Sequence, residues 1–123
     1  MVPDRFLALA RSLLTTEGAE AEERFRGVAH AAYYASYHLI ARHYGLDPLN
    51  RRQARHDPLL ARLRDDPADA LLVSIGRDAL PLLHAMRTRA DYDLGIRFGH
   101  EAAAEALAEA ERLFAAGPAV DAR

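Results

Sequence analysis

Ala31-Ala-Tyr-Tyr-Ala-Ser-Tyr-His38 is the stretch on which the fold turns. Small residues alternate with phenols, and both continue into the flanks. Phe25, Val28, Ala29, Ala32, Ser36, Leu39 and Ile40 recur at three- and four-residue spacings, the period of one helical stripe. Ala31, Tyr34, Ala35, Tyr37 and Ala41 form a second stripe. A helix apolar on more than one side is central in a bundle, or central and at a dimer seam. The pattern predicts a helix from about Ala19 to Tyr44. Glu20, Glu22 and Glu23 suit the positive end of its dipole, and Gly45 suits its C-terminal stop.

Outward from this helix the pattern stays helical. A first helix is expected over Asp4 to Thr15, with Asp4 as its cap. Leu46 to Pro58 reads as a polar connection bounded by two Asp-Pro steps, followed by a short helix over Leu59 to Arg64. Ala68 to Ile75 is the next apolar stretch. Gly76 and Pro81 then predict a break, with Asp78 capping a new or kinked helix from Ala79 to Arg89. A last helix runs from His100 to Ala115, with Glu101, Glu105, Glu109 and Glu111 opposite Ala102, Ala106, Leu107, Ala110, Leu113 and Phe114. No segment reads as a strand. The expectation is one all-α domain over residues 1–116 and a disordered tail over 117–123.

Composition narrows the function classes. The net charge of −2 does not mark the chain as a general nucleic-acid binder. Cysteine is absent, which excludes disulfides and thiolate metal sites. Apolar runs are short, and Met1-Val-Pro-Asp-Arg-Phe6 lacks signal-peptide organisation, so a cytoplasmic location is expected. All 16 residues of the Lys/Arg class are arginine, so an anion site here would use planar forks.

Arg87-Thr-Arg-Ala-Asp-Tyr-Asp93 carries the densest chemistry, at the end of an apolar segment. Arg87 and Asp91 stand at i,i+4, so one reading is an ion-pair knot that terminates a helix. The other is an anion site, because a phenol lies between two carboxylates beside two arginines. Tyr33, Tyr34 and Tyr37 read first as core aromatics whose hydroxyls reach the rim. Of the six histidines, no pair has metal-ligand spacing, so no metal or cofactor is expected. Asn50-Arg-Arg-Gln-Ala-Arg-His-Asp57 supplies Arg51, Arg52 and Arg55, a solvated loop or one wall of an anion groove beside Arg87.

Two segments together resemble the small prokaryotic HEPN-domain proteins. In that family one helix carries a pattern near Ser-Arg-Ala-Tyr-Tyr-Ala-x-Phe/Tyr-His, and this chain has His30-Ala31-Ala32-Tyr33-Tyr34-Ala35-Ser36-Tyr37-His38. A later helix end carries Leu-x-x-Arg-x-x-Ala-Asp-Tyr-Asp, and this chain has Leu83-His-Ala-Met-Arg-Thr-Arg-Ala-Asp-Tyr-Asp93, matching from Arg87 onward with one residue more between Leu83 and the arginine. The resemblance implies an antiparallel four- to five-helix bundle, often a homodimer. It also implies a toxin-type, metal-independent endoribonuclease or RNA-binding protein, paired with a minimal nucleotidyltransferase antitoxin. Arg87, Asp91 and Tyr92 would be the catalytic set, with Tyr33 and Arg89 joining Arg51, Arg52 and Arg55 in binding nucleotide or RNA. The alternative it implies is a non-catalytic RNA- or nucleotide-binding module that docks such a partner.

The chain departs from that pattern at two places. His30-Ala31 replaces the usual Ser-Arg pair. Ribonuclease members follow the arginine with a histidine after four to six intervening residues, and Tyr92 stands in that place here. Elsewhere Arg24/His30, Arg51/His56 and Arg77/His84 fit the spacing, about as often as chance predicts.

Overall fold

Alanine at contact positions brings helices close, and α2 shows the result. The computed structural model describes residues 3–16, 21–46, 56–67 and 70–116. Within these lie α1 (Pro3–Thr15), α2 (Ala21–His43), α3 (His56–Asp65), α4 (Leu71–Tyr92) and α5 (His100–Ala116). No strand occurs among the described residues, and the architecture is an all-helical bundle. Among the described residues no helix is long and apolar enough to cross a membrane.

The central helix is α2, packed against α1, α4 and α5. Val28, Ala29, Ala32, Ser36, Leu39 and Ile40 of its first stripe are buried, as are Ala31, Ala35, Tyr37 and Ala41 of its second. One chain therefore uses both stripes, and no spare apolar face of α2 is left to argue for a dimer. Ser36, buried within α2, donates to the Ala32 carbonyl at 2.9 Å in its own helix, so its hydroxyl is satisfied locally. At the C-terminus Gly45 adopts φ 67°. Its N–H bonds Arg42 O, and that of Leu46 bonds Ala41 O, the paired bonds of a Schellman stop.

Long-range contacts give the directions. Leu13 meets Gly27 and Phe6 meets His38, so α1 runs antiparallel to α2. Arg26 reaches Ala90 while Ile40 meets Gly76, so α4 is also antiparallel to α2. Buried Phe98 anchors the loop that turns α4 back into α5.

Three boundaries differ from the sequence reading. First, α1 begins at Pro3, which puts Asp4 inside the first turn rather than at the cap. Second, α4 runs unbroken through Gly76 and Pro81, so Asp78 caps nothing; the cap position is Ala70, without a side-chain bond. Gly76 serves packing instead. A Cβ there would stand 3.2 Å from Leu63 Cδ2 and 3.3 Å from Ile40 Cδ1. Third, α3 starts at His56, so Pro58 lies in its first turn, where a missing N–H does no harm. The expected tail over 117–123 lies outside the described residues.

Candidate functional site

The end of α4 presents its charges to α2 because the two helices cross with His30 opposite Asp91. Asp91 Oδ2 lies 2.9 Å from Arg87 Nε and 2.9 Å from His30 Nδ1, so one carboxylate bridges two basic groups. Arg87 Nε is buried and its N–H is not aimed at that oxygen. The contact is an ion pair without a hydrogen bond, and Nε finds no other acceptor among the described residues. The guanidinium is flanked by aromatic rings, its Cζ 5.8 Å from the Tyr33 centroid, 5.5 Å from Tyr34 and 5.4 Å from Tyr92. Each such contact adds about 0.5–1 kcal/mol at an exposed site. The Arg87 side chain is 18% exposed, whereas Tyr92 is 69% exposed and open to a partner.

One turn before Arg87, His84 stacks on His56 of α3, with centroids 3.5 Å apart and planes 14° apart. Tyr33 Oη lies 3.1 Å from His56 Nδ1 and its ring 5.4 Å from that of His84. His56, Asp57, Pro58 and His84 line a cleft of about 400 Å³. Burial holds both imidazoles below their usual titration range; the next cause is His84 for His56 and Arg87 for His84. Burial likewise keeps the Tyr33 phenol protonated, with neighbouring Tyr34 and Tyr37 adding to the effect. Tyr33 thus stays a neutral phenol, and the direction of its hydrogen bond with His56 Nδ1 follows the imidazole tautomer.

Arg87, Asp91, Tyr92 and Tyr33 are brought together as the sequence pattern suggests. Arg89, two positions from Arg87, faces elsewhere, and its guanidinium lies over Phe98. Arg51, Arg52 and Arg55 lie outside the described residues. Sequence reasoning missed His30, His56 and His84 as neighbours of Arg87. The Asp57-Pro58 step was the available signal, since proline favours the first helical turn and so places His56 on a helix.

A larger cleft of about 470 Å³ lies between Tyr44 and the end of α3. Its groups are engaged with one another. Tyr44 donates to Asp66 Oδ2 at 2.7 Å, and Arg62 lies 4.8 Å over the Tyr44 ring.

No group of three histidine or acidic side chains among the described residues is disposed to hold a metal ion. The Arg87 cluster can instead hold an anion against planar N–H donors, stack a base on Tyr92, and move protons through imidazole. Comparison with family models, with curated proteins and with solved structures finds no match for this chain.

Proposed function

We propose that the Arg87 cluster is an RNA-binding site that cleaves the phosphodiester without metal, as in a HEPN-like toxin-type endoribonuclease. The observation that carries the reading is the state of Arg87. This cation is mostly buried, ringed by three phenols and paired with the Asp91 carboxylate, and its buried Nε binds no carbonyl. An arginine that only terminated a helix would spend its donors on carbonyls. In this reading Arg87 stabilises the phosphorane charge, Asp91 holds Arg87 and His30 in place, and Tyr92 stacks a base or donates a proton. Arg51, Arg52 and Arg55 hold further phosphates. Changing all three to glutamine lowers the salt slope of binding by about one for each phosphate released.

Arg87→Ala tests the reading on a single-stranded RNA oligonucleotide in chelator. Removing one preorganised charge-stabilising donor costs roughly a hundred- to a thousandfold in rate. Full cleavage by a folded Arg87→Ala protein would remove the assignment.

A second reading has its own support. Asp91 already balances Arg87, and a phenol is a poor base near neutrality, with a reference pKa of about 10. These favour a module that binds RNA or nucleotide without cutting and docks a nucleotidyltransferase. RNA bound but uncut by the wild-type protein selects it. In either reading a homodimer is proposed. Tyr92, Leu94 and Ile96 are exposed apolar side chains at the end of α4 and just after it, and a monomer by sedimentation at about ten micromolar counts against the dimer.

A further inference from the structure

The stacked histidines lie outside the Arg87 cluster itself, yet they border it. His84 is on the same face of α4 as Arg87, one turn away. His56 is delivered by the first turn of α3, and Tyr33 Oη holds its Nδ1 at 3.1 Å. Both rings open into the cleft that they line with Asp57 and Pro58. Rings 3.5 Å apart at 14° direct their in-plane lone pairs along nearly parallel planes, which do not converge on one metal ion.

That geometry also governs protons. Two imidazolium charges at this separation repel strongly, so the pair takes up its protons in two separated steps. Between those steps it holds one acid and one base. Burial disfavours the proton on both rings; Asp57 then favours it and Arg87 opposes it on both, Asp57 outweighing Arg87 at His56 and Arg87 outweighing Asp57 at His84. Tyr33 from α2 is the third group facing the pair, and it stays neutral.

We propose that His56 and His84 are the proton-transfer pair of the Arg87 site, His84 taking the proton of an RNA 2′-hydroxyl and His56 delivering one to the departing 5′-oxygen. The proposal rests on the ribonuclease reading and supplies its acid and base. The 2′-oxygen forms its bond to phosphorus as its proton passes to His84. The bond from phosphorus to the 5′-oxygen breaks as His56 protonates that oxygen. One product ends in a 2′,3′-cyclic phosphate and the other in a free 5′-hydroxyl. The pair keeps its single proton, now on His84, and exchange with water resets it. The entering and leaving oxygens of a phosphorane are about as far apart as the two stacked rings, so both transfers can be made from one side. Tyr33 is a positioning residue, since it fixes the His56 ring and touches no reacting atom.

The test uses the wild-type protein, His56→Asn and His84→Asn on the same RNA oligonucleotide in chelator, with melting curves and RNA binding by fluorescence anisotropy. Each variant is expected to fold and bind RNA while losing roughly a hundred- to ten-thousandfold in cleavage. The wild-type rate should be bell-shaped in pH, with its maximum below about 6.5. An RNA with sulfur in place of the bridging 5′-oxygen leaves without needing a proton, so it should restore His56→Asn and not His84→Asn. Rescue of His84→Asn instead overturns the assignment of roles. Wild-type cleavage that survives in either variant overturns the pair while leaving the ribonuclease reading intact. Loss of RNA binding in both variants makes them binding residues and also overturns it. No cleavage by the wild-type protein removes the ribonuclease reading and this role together.

Discussion

Arg26 and Arg87 both sit at the last turns of α4, and their partners could hardly differ more. Arg26, on α2, donates to the carbonyls of Arg89, Ala90, Asp93 and Ile96, and both its Nε and Nη2 reach the Glu22 carboxylate. It closes the open carbonyls of α4 and ties down the loop that follows. Arg87 has one carboxylate at ion-pair distance, three rings, and an Nε without a hydrogen bond. The two side chains are almost equally covered, 11% and 18% exposed. Burial therefore does not separate a structural arginine from a candidate functional one; the commitment of the donors does.

The largest effect should come from the saturated arginine. Arg26→Ala strands four carbonyls and a carboxylate at a partly exposed helix end, where a hydrogen bond to a charged group is worth about 1.5–3 kcal/mol and less if the freed carbonyl turns to water. Urea unfolding should show it, and Arg26→Lys should recover little because an ammonium cannot reproduce the fork. A midpoint unchanged from wild type would break the comparison. Arg87→Ala should do the reverse. Stability should fall less than in Arg26→Ala, by about 1–2 kcal/mol for the lost ring contacts and ion pair, while RNA cleavage falls roughly a hundred- to a thousandfold. A large stability loss with full activity would place both arginines in the same structural class.

Smaller in size is a pH effect. His38, His56 and His84 are all held below their usual titration range, first by burial. The unfolded chain therefore binds more protons than the folded one between those lowered values and about 6.5. Their contribution to stability is complete above that pH and is lost as pH falls through the folded values. Melting temperature should decline as pH falls below about 6.5, the reference imidazole value, and level off once the folded-state histidines are protonated. The triple change His38→Gln, His56→Asn, His84→Asn should flatten the decline. The smallest effect is expected from His30→Asn. His30 is an exposed partner of Asp91, whose other partner remains, so the cost should stay below about 1 kcal/mol by urea unfolding.

Local sequence carried α2 and α5 because their small and large residues repeat at helical spacing, and Gly45 stops α2 where a positive φ is needed. It failed at Gly76, where the reason for glycine is Leu63 and Ile40, side chains far away in the chain. The same division runs through the site. Arg87 with Asp91 is an i,i+4 pair and can be read from spacing. His56 with His84 depends on how α3 lies against α4, and no local pattern encodes that. His30 was legible only as part of a helix face; its meeting with Asp91 comes from the crossing of α2 and α4.

The attachment of α3 has a mechanical consequence. Its ten residues make a rod roughly 15 Å long. Near its far end Arg77 of α4 grips the carbonyls of Leu63 and Asp66, and at its near end His56 leans on His84. The two attachment points are two turns apart along α4, about 10 Å, with Pro81 between them. The rod behaves as a crossbar pinned at both ends to one beam. A small tilt at the Arg77 pin becomes a sideways displacement of the His56 ring, and a misplacement of about an ångström can cost a hundredfold in rate. In the ribonuclease proposed above, Arg77 would therefore act on the rate from the far end of α3.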